Sequence, residues 1–267
     1  MDKREIIRVR DVAEAIEASA PLGYQESYDN AGLQVGNPEM EVSGVMLCLD
    51  VTEDVLDEAR ACGCNMVVSH HPLIFKGLKS LTGKGPVEKA VIKALTEGVA
   101  VYSAHTNLDS APGGVSFEMA TLLGLSDCRP LSPLPGNPEA GLGVTGCVKP
   151  TPKLEFLRQV KEKFGVKALR YSAQSRTLVV KRVAICGGSG ASLIPAAIAA
   201  GAEVMITGDV KYHDFTSFSQ DLLIADIGHF EGELCAEKIL WRIIKEKFPA
   251  LTVYFPRKEE NPVATLL

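Results

Sequence analysis

The chain has 267 residues, 46% hydrophobic and 23% charged, enough for one large domain or two modest lobes with well-formed cores. Its net charge of -5 offers no general attraction to nucleic acid or to an anionic membrane surface. No apolar run approaches the ~20 residues needed to span a bilayer, and the charged N-terminus MDKREIIRVRDV lacks the apolar stretch of a signal peptide. A cytoplasmic protein is expected. The seven cysteines (Cys48, Cys62, Cys64, Cys128, Cys147, Cys186 and Cys235) are odd in number, several of them in apolar runs such as MLCLD and VAICGG. They read as reduced, structural thiols.

Along the chain short apolar strands alternate with helices, the pattern of an α/β fold. A first helix covers residues 9–18. The strand GVMLCLD precedes a helix opened by Thr52, a residue type that caps helix N-termini. The strand NMVVS then ends at His70. Pro86 opens the next helix in its favoured first turn, the strand VAVYSA ends at His105, and a helix over 115–123 is stopped by Gly124. The first half therefore reads as three strand-plus-helix units. The stretch RPLSPLPGNPEAG, residues 129–141, is rich in Pro and Gly without periodicity and reads as a connection between two lobes, 1–128 and 142–267. Beyond it strands are expected near 142–148, 167–172 and 178–186, with helices over 152–164 and 191–200. The strand AEVMITGD, a short helix after Asp209, the strand LLIADIG, a long helix through 241–247 and a last strand LTVYF follow.

In α/β sheets, ligands and catalysts collect beyond the carboxyl ends of the strands. His70 and His71 end NMVVS, His105 ends VAVYSA and His229 ends LLIADIG. Adjacent residues inside a strand point to opposite faces, but at a strand end followed by Pro72 the backbone turns and both imidazoles of S-H-H-P can face one cleft. Paired neutral imidazoles suit Zn, Fe, Ni, Co or Mn; a buried and an exposed histidine side by side is the plainer reading. In H-T-N-L-D, Asp109 is either a metal ligand or a partner for a helix N-terminus. In G-H-F-E-G-E, His229 and Glu233 share a helix face at i, i+4, as a metal pair or a simple hydrogen bond. Three such clusters in one chain reinforce one another. Three imidazoles and two carboxylates exceed the usual three-ligand catalytic zinc site and fit two metals sharing a carboxylate bridge.

Lys211, Tyr212 and His213 follow AEVMITGD at another strand end. Lys211 and His213 are candidates for general acid/base work or phosphate binding, against a polar helix start. Tyr28-Asp29-Asn30 reads as turn chemistry. Lys76 and Lys79 suit an anionic substrate or plain solvation. CGGSGAS lacks both the third Rossmann glycine and the G-K-[ST] of a P-loop, so its glycines read as a tight strand-to-helix turn.

The segments SYDNAGLQVG, VVSHHPLIFKGLKSL, VYSAHTNLDSAPGGV, TGDVKYHDF, GHFEGE and the closing ENP, in that order over nearly the whole chain, resemble the Nif-three-like family (NGG-interacting factor three). Its bacterial members often carry the label "GTP cyclohydrolase 1 type 2 homolog". The resemblance implies two similar α/β lobes with a di-metal cleft between them, assembled as a toroidal homohexamer. It implies His70, His71, Asp109, His229 and Glu233 as ligands of two divalent ions, with Glu233 bridging and His105 behind the ligands. The loop at Tyr28-Asp29-Asn30 is then expected to border the cleft. The domain that many members carry between the lobes does not fit in a chain of this length. Two functions stay open: a metal-dependent hydrolase of a nucleotide or related small molecule, or a non-catalytic metal-binding scaffold that recruits partners.

Overall fold

The computed structural model describes residues 6–266; the charged residues 1–5 invoked for the N-terminus lie outside them. In chain order the first elements are α1 (Val9–Ser19), β1 (Gly32–Val35), β2 (Val45–Cys48), α2 (Glu53–Ala61), β3 (Met66–Ser69), α3 (Pro86–Glu97), β4 (Ala100–Ser103), α4 (Thr106–Ser110) and α5 (Val115–Leu123). Next come β5 (Ser126–Leu134), β6 (Asn137–Pro152), α6 (Lys153–Lys163), β7 (Arg170–Tyr171), β8 (Val179–Ile185), α7 (Ile194–Ala199) and β9 (Val204–Thr207). The last are α8 (Tyr212–Phe218), β10 (Leu223–Asp226), α9 (His229–Glu233), α10 (Cys235–Lys247) and β11 (Val253–Tyr254). The mixed α/β class expected from the sequence is present. The chain forms two compact units: one runs to Leu108 and resumes over Ala236–Glu259, and the other comprises Asp109–Cys235 and resumes at Glu260.

The first unit is built on a five-stranded sheet, ordered β1-β4-β3-β2-β11. β2, β3, β4 and β11 run parallel, and β1 is antiparallel to β4. Every residue of β2, β3 and β4 is buried, which is why these strands read as unbroken apolar runs rather than alternating ones. Leu56 and Ala59 of α2 and Ala90, Val91 and Ala94 of α3 share a core with Met46, Cys48, Val67 and Val101. Thr52 caps α2 as expected, its hydroxyl accepting the Val55 N–H at 3.2 Å. The edge strand β1 escaped the sequence reading, because four residues beginning with Gly32 and partly exposed carry little strand signal.

The second unit holds a six-stranded sheet, ordered β5-β6-β8-β9-β10-β7, with β8, β9 and β10 parallel. Ile194 and Ala197 of α7 pack on Met205 and Ile224. The proline-rich stretch 129–141 is not a plain connection. It lies in the β5–β6 hairpin, where Pro130 faces Val144 and Pro133 faces Gly141. β5 is an edge strand, the position in a sheet where proline is tolerated. Gly141 permits the approach: a Cβ there would stand 2.2 Å from the Ser132 carbonyl oxygen. All seven cysteines are free thiols, and among the described residues no helix is long and apolar enough to cross a membrane.

Candidate metal centre

In the first unit the histidines stand just beyond two adjacent parallel strands. β3 ends at Ser69, and the His71 carbonyl accepts the hydroxyls of Ser69 at 2.8 Å and Ser103 at 3.2 Å. This clamp turns the backbone out of the strand, so the two neighbouring imidazoles no longer oppose each other. Their ring centroids are 5.1 Å apart, and His105, beyond β4, lies 5.3 Å from His70 and 5.6 Å from His71. The three residues offer ligand atoms that all fall within 4.8 Å of one another.

Each ring is held from behind. His70 Nδ1 is 2.8 Å from the Ala104 carbonyl, His71 Nδ1 is 2.9 Å from Asp50, and His105 Nδ1 is 2.7 Å from Asp29. An oxygen acceptor at Nδ1 fixes the Nδ1–H tautomer and places the lone pair on Nε2, which is the arrangement that surrounds metal-bound imidazoles. Asp29 is the best anchored of these acceptors. Its side chain is 0% exposed and also receives the N–H of Thr106 at 3.0 Å and the Thr106 hydroxyl. Burial pushes its carboxyl upward, but hydrogen bonds from His105 and Thr106 outweigh that and hold it at about 2. Asp29 therefore stays an acceptor across the physiological range.

In the second unit an imidazole again sets Nδ1 against a carboxylate, but its Nε2 faces a second carboxylate. His229 opens α9, with Nδ1 2.7 Å from Asp209 and Nε2 2.8 Å from Glu233. Asp209 reaches it from the turn after β9, with φ at +55°, a conformation that aspartate tolerates better than most residues. Glu233 is buried, at 3% exposure. Burial first, then the charges of Asp109 and Glu233, pushes the Cys186 thiol well above its ordinary value, so the two carboxylates crowd one buried neighbourhood. The CGGSG loop explains how Glu233 fits: a Cβ on Gly188 would lie 1.9 Å from Glu233 Oε1, and one on Gly187 would be 2.6 Å from Val115 Cγ1. These glycines make room for a carboxylate as well as for a turn.

Asp50 and Asp209 were not singled out from the sequence, although both stand at strand ends, in LCLD and ITGD. Lys211 and His213 are exposed at the start of α8. Lys211 takes the N-cap position, its backbone N–H donating to Asp214 at 3.1 Å, and His213 makes an edge contact with Tyr212. The residue that this turn sends to His229 is Asp209. Lys79 lines an apolar groove of about 630 Å³ with Gln34, Ile74, Leu78 and Val91, and Asn30 ties the β1 loop to the Ile74 carbonyl at 2.6 Å.

The donor set is imidazole and carboxylate and the glycines admit Glu233, so these residues fit divalent metal. If Asp50 and Asp209 serve to orient ligands, Asp50→Ala and Asp209→Ala should each weaken Zn2+ or Co2+ binding ~10–100-fold while leaving the fold intact. Calorimetric titration of the chelated protein checks this. Unchanged affinity in both variants would make those pairs incidental.

Comparison with known proteins places the chain among relatives of one family. The family described as Duf34/NIF3 (NGG1p interacting factor 3) matches residues 7–262. A Clostridium perfringens protein named "GTP cyclohydrolase 1 type 2 homolog" is 35% identical over 229 residues, covering 85% of this chain and 87% of its own. One of the same name from Lactococcus lactis is 35% identical over 263 residues, covering 96% and 98%. The crystal structure of a Staphylococcus aureus hypothetical protein superposes with a TM-score of 0.88 at 26% identity, covering 98% of this chain and 100% of that one. That of reduced HcgD from Methanocaldococcus jannaschii gives 0.80 at 26% identity, covering 95% and 99%.

Proposed function

Because the chain belongs to the Duf34/NIF3 family, we propose that His70, His71, Asp109, His229 and Glu233 together hold two divalent cations, with Glu233 serving both, in a metal-dependent hydrolase. The observation that carries this reading is the anchoring of imidazole Nδ1 on oxygen at the neighbouring His70 and His71. That is the arrangement found around metal-bound imidazoles. Cations bound there supply Lewis acidity and a nucleophilic water at neutral pH. The chain's own residues do the rest. Asp50 and Asp209 orient their imidazoles. His213 and Lys211, a few residues past Asp209, are the proposed groups for protonating a leaving atom or holding an anionic substrate. A nucleotide or related small molecule is the proposed substrate class, on the strength of the relatives named "GTP cyclohydrolase 1 type 2 homolog".

Protein purified without chelator should carry two ions per chain, and Glu233→Ala at most one. A turnover screen over GTP, nucleoside phosphates and a model phosphodiester should reveal metal-dependent hydrolysis that Glu233→Ala lowers by about a hundredfold or more, as removal of a main electrostatic stabiliser does. A single ion indifferent to Glu233→Ala would remove the shared carboxylate. Two ions with no turnover on any substrate would favour a metal-binding scaffold.

A further inference from the structure

We propose that the apolar groove beside Lys79 in the first unit binds a small amphiphile, an alkyl chain ending in a carboxylate. The site uses none of the metal-centre residues and is independent of the hydrolase reading.

Shape comes first. The groove offers about 630 Å³, inside the ~300–1,000 Å³ range of small-molecule sites. Its floor is Val35 and Val91, which belong to the buried core of the unit. Leu78, Leu81 and Leu95 stand around it at 37%, 47% and 54% exposure. A single exposed leucine needs no explanation, but three around one groove mark a surface that gains by being covered. The site is also formed in advance. The Ile74 N–H donates to Gln34 Oε1 at 2.9 Å, and the Asn30 side-chain amide donates to the Ile74 carbonyl at 2.6 Å. The segment that carries Leu78 and Leu81 is thus fastened at its start to the β1 edge.

Charge selects the occupant. Lys79 is the one charged residue in the lining, and among the described residues neither it nor Lys76 makes an ion pair. The segment 75–84, FKGLKSLTGK, holds three lysines and no acid in a chain of net charge -5. The nearby carboxylate of Glu88 is engaged by the Thr82 N–H at 2.7 Å, the Thr82 hydroxyl at 3.0 Å and the Lys84 N–H at 3.3 Å. The lining therefore complements an apolar body with one negative head. A peptide would set its backbone N–H and C=O groups against leucines at a cost. An alkyl carboxylate has one polar group, and Lys79 meets it.

Calorimetric titration of the full chain with octanoate, decanoate and dodecanoate, each below its micelle concentration, tests this. One site per chain should appear, with affinity rising ~three- to fourfold per methylene. Decyltrimethylammonium, the same chain length with a cationic head, should bind at least ~tenfold more weakly than decanoate. Lys79→Glu should reverse that order, and Leu95→Ser should weaken decanoate ~threefold or more. Both positions are exposed, so circular dichroism should show an unchanged fold. A carboxylate is also a metal ligand, and pretreatment with EDTA separates the two sites: decanoate binding should survive it. Loss of binding on chelation, with Lys79→Glu and Leu95→Ser still binding normally, would put the carboxylate on the metal centre and overturn the proposal. Uptake that does not saturate, no uptake at all, or an unchanged preference in Lys79→Glu would overturn it equally.

Discussion

Gly188→Ala should strip the second unit of its part in metal binding at a modest cost in stability. Gly188 has φ at +55°, and an alanine in that region costs ~1–2 kcal/mol. The larger consequence is steric. The new methyl would lie 1.9 Å from Glu233 Oε1, 2.9 Å from its carboxyl carbon and 3.3 Å from His229 Cε1. The loop cannot retreat easily, because the Gly188 carbonyl accepts the Gly208 N–H at 2.7 Å and the Thr207 hydroxyl at 3.1 Å. Glu233 must therefore swing out of its buried position, breaking the pair with His229. Gly201→Ala is the control: φ is +72° there, and nothing lies within 4 Å of its Cβ position. It should show a similar destabilisation, ~1 kcal/mol, with metal content unchanged. If Gly188→Ala keeps wild-type metal content and affinity, the glycines serve the turn alone.

That prediction rests on a part of the site the sequence did not disclose, and the reason is physical. The strand-end histidines were legible because β3, β4 and β10 are buried on both faces. An unbroken apolar run that stops at a histidine marks both the strand and its exit. His229 and Glu233 were legible because four residues on a helix is a local spacing. The contact between Gly188 and Glu233 joins positions far apart in sequence, and a glycine required by a distant carboxylate looks the same as one required by a turn. Asp50 and Asp209 were hidden similarly, since each reaches an imidazole that leaves a neighbouring strand. The β5–β6 hairpin was misread for the opposite reason. Its prolines and glycines are strong local signals for a loop, and only the edge position of β5 makes them compatible with a strand.

Glu237→Gln should make the protein more stable, by a margin that grows with pH. Glu237 lies on α10 at 7% exposure and shares a hydrogen bond with Glu259, whose Oε1 accepts the Leu49 N–H at 2.6 Å. Two carboxyl groups can hydrogen-bond only if one keeps a proton. Burial first, then the bond to Glu259 and its charge, raises Glu237 from the ordinary carboxylate value to about 10. The sign follows from the proton count. Between the unfolded value near ~4.3 and the folded one, the native state binds one proton more than the unfolded chain, so unfolding free energy falls as pH rises. The favourable contribution is complete below the unfolded value and is lost on the way up through neutral and alkaline pH. Glutamine has nearly the same shape and a permanent N–H for Glu259, and it removes the slope. Wild type and variant should be similar near pH 5 and diverge by about 1 kcal/mol per pH unit above it. Urea unfolding at pH 5, 7 and 8.5 measures the gap directly. Parallel pH profiles for the two proteins would show that Glu237 is already ionised in the native state and that the carboxyl pair does not share a proton.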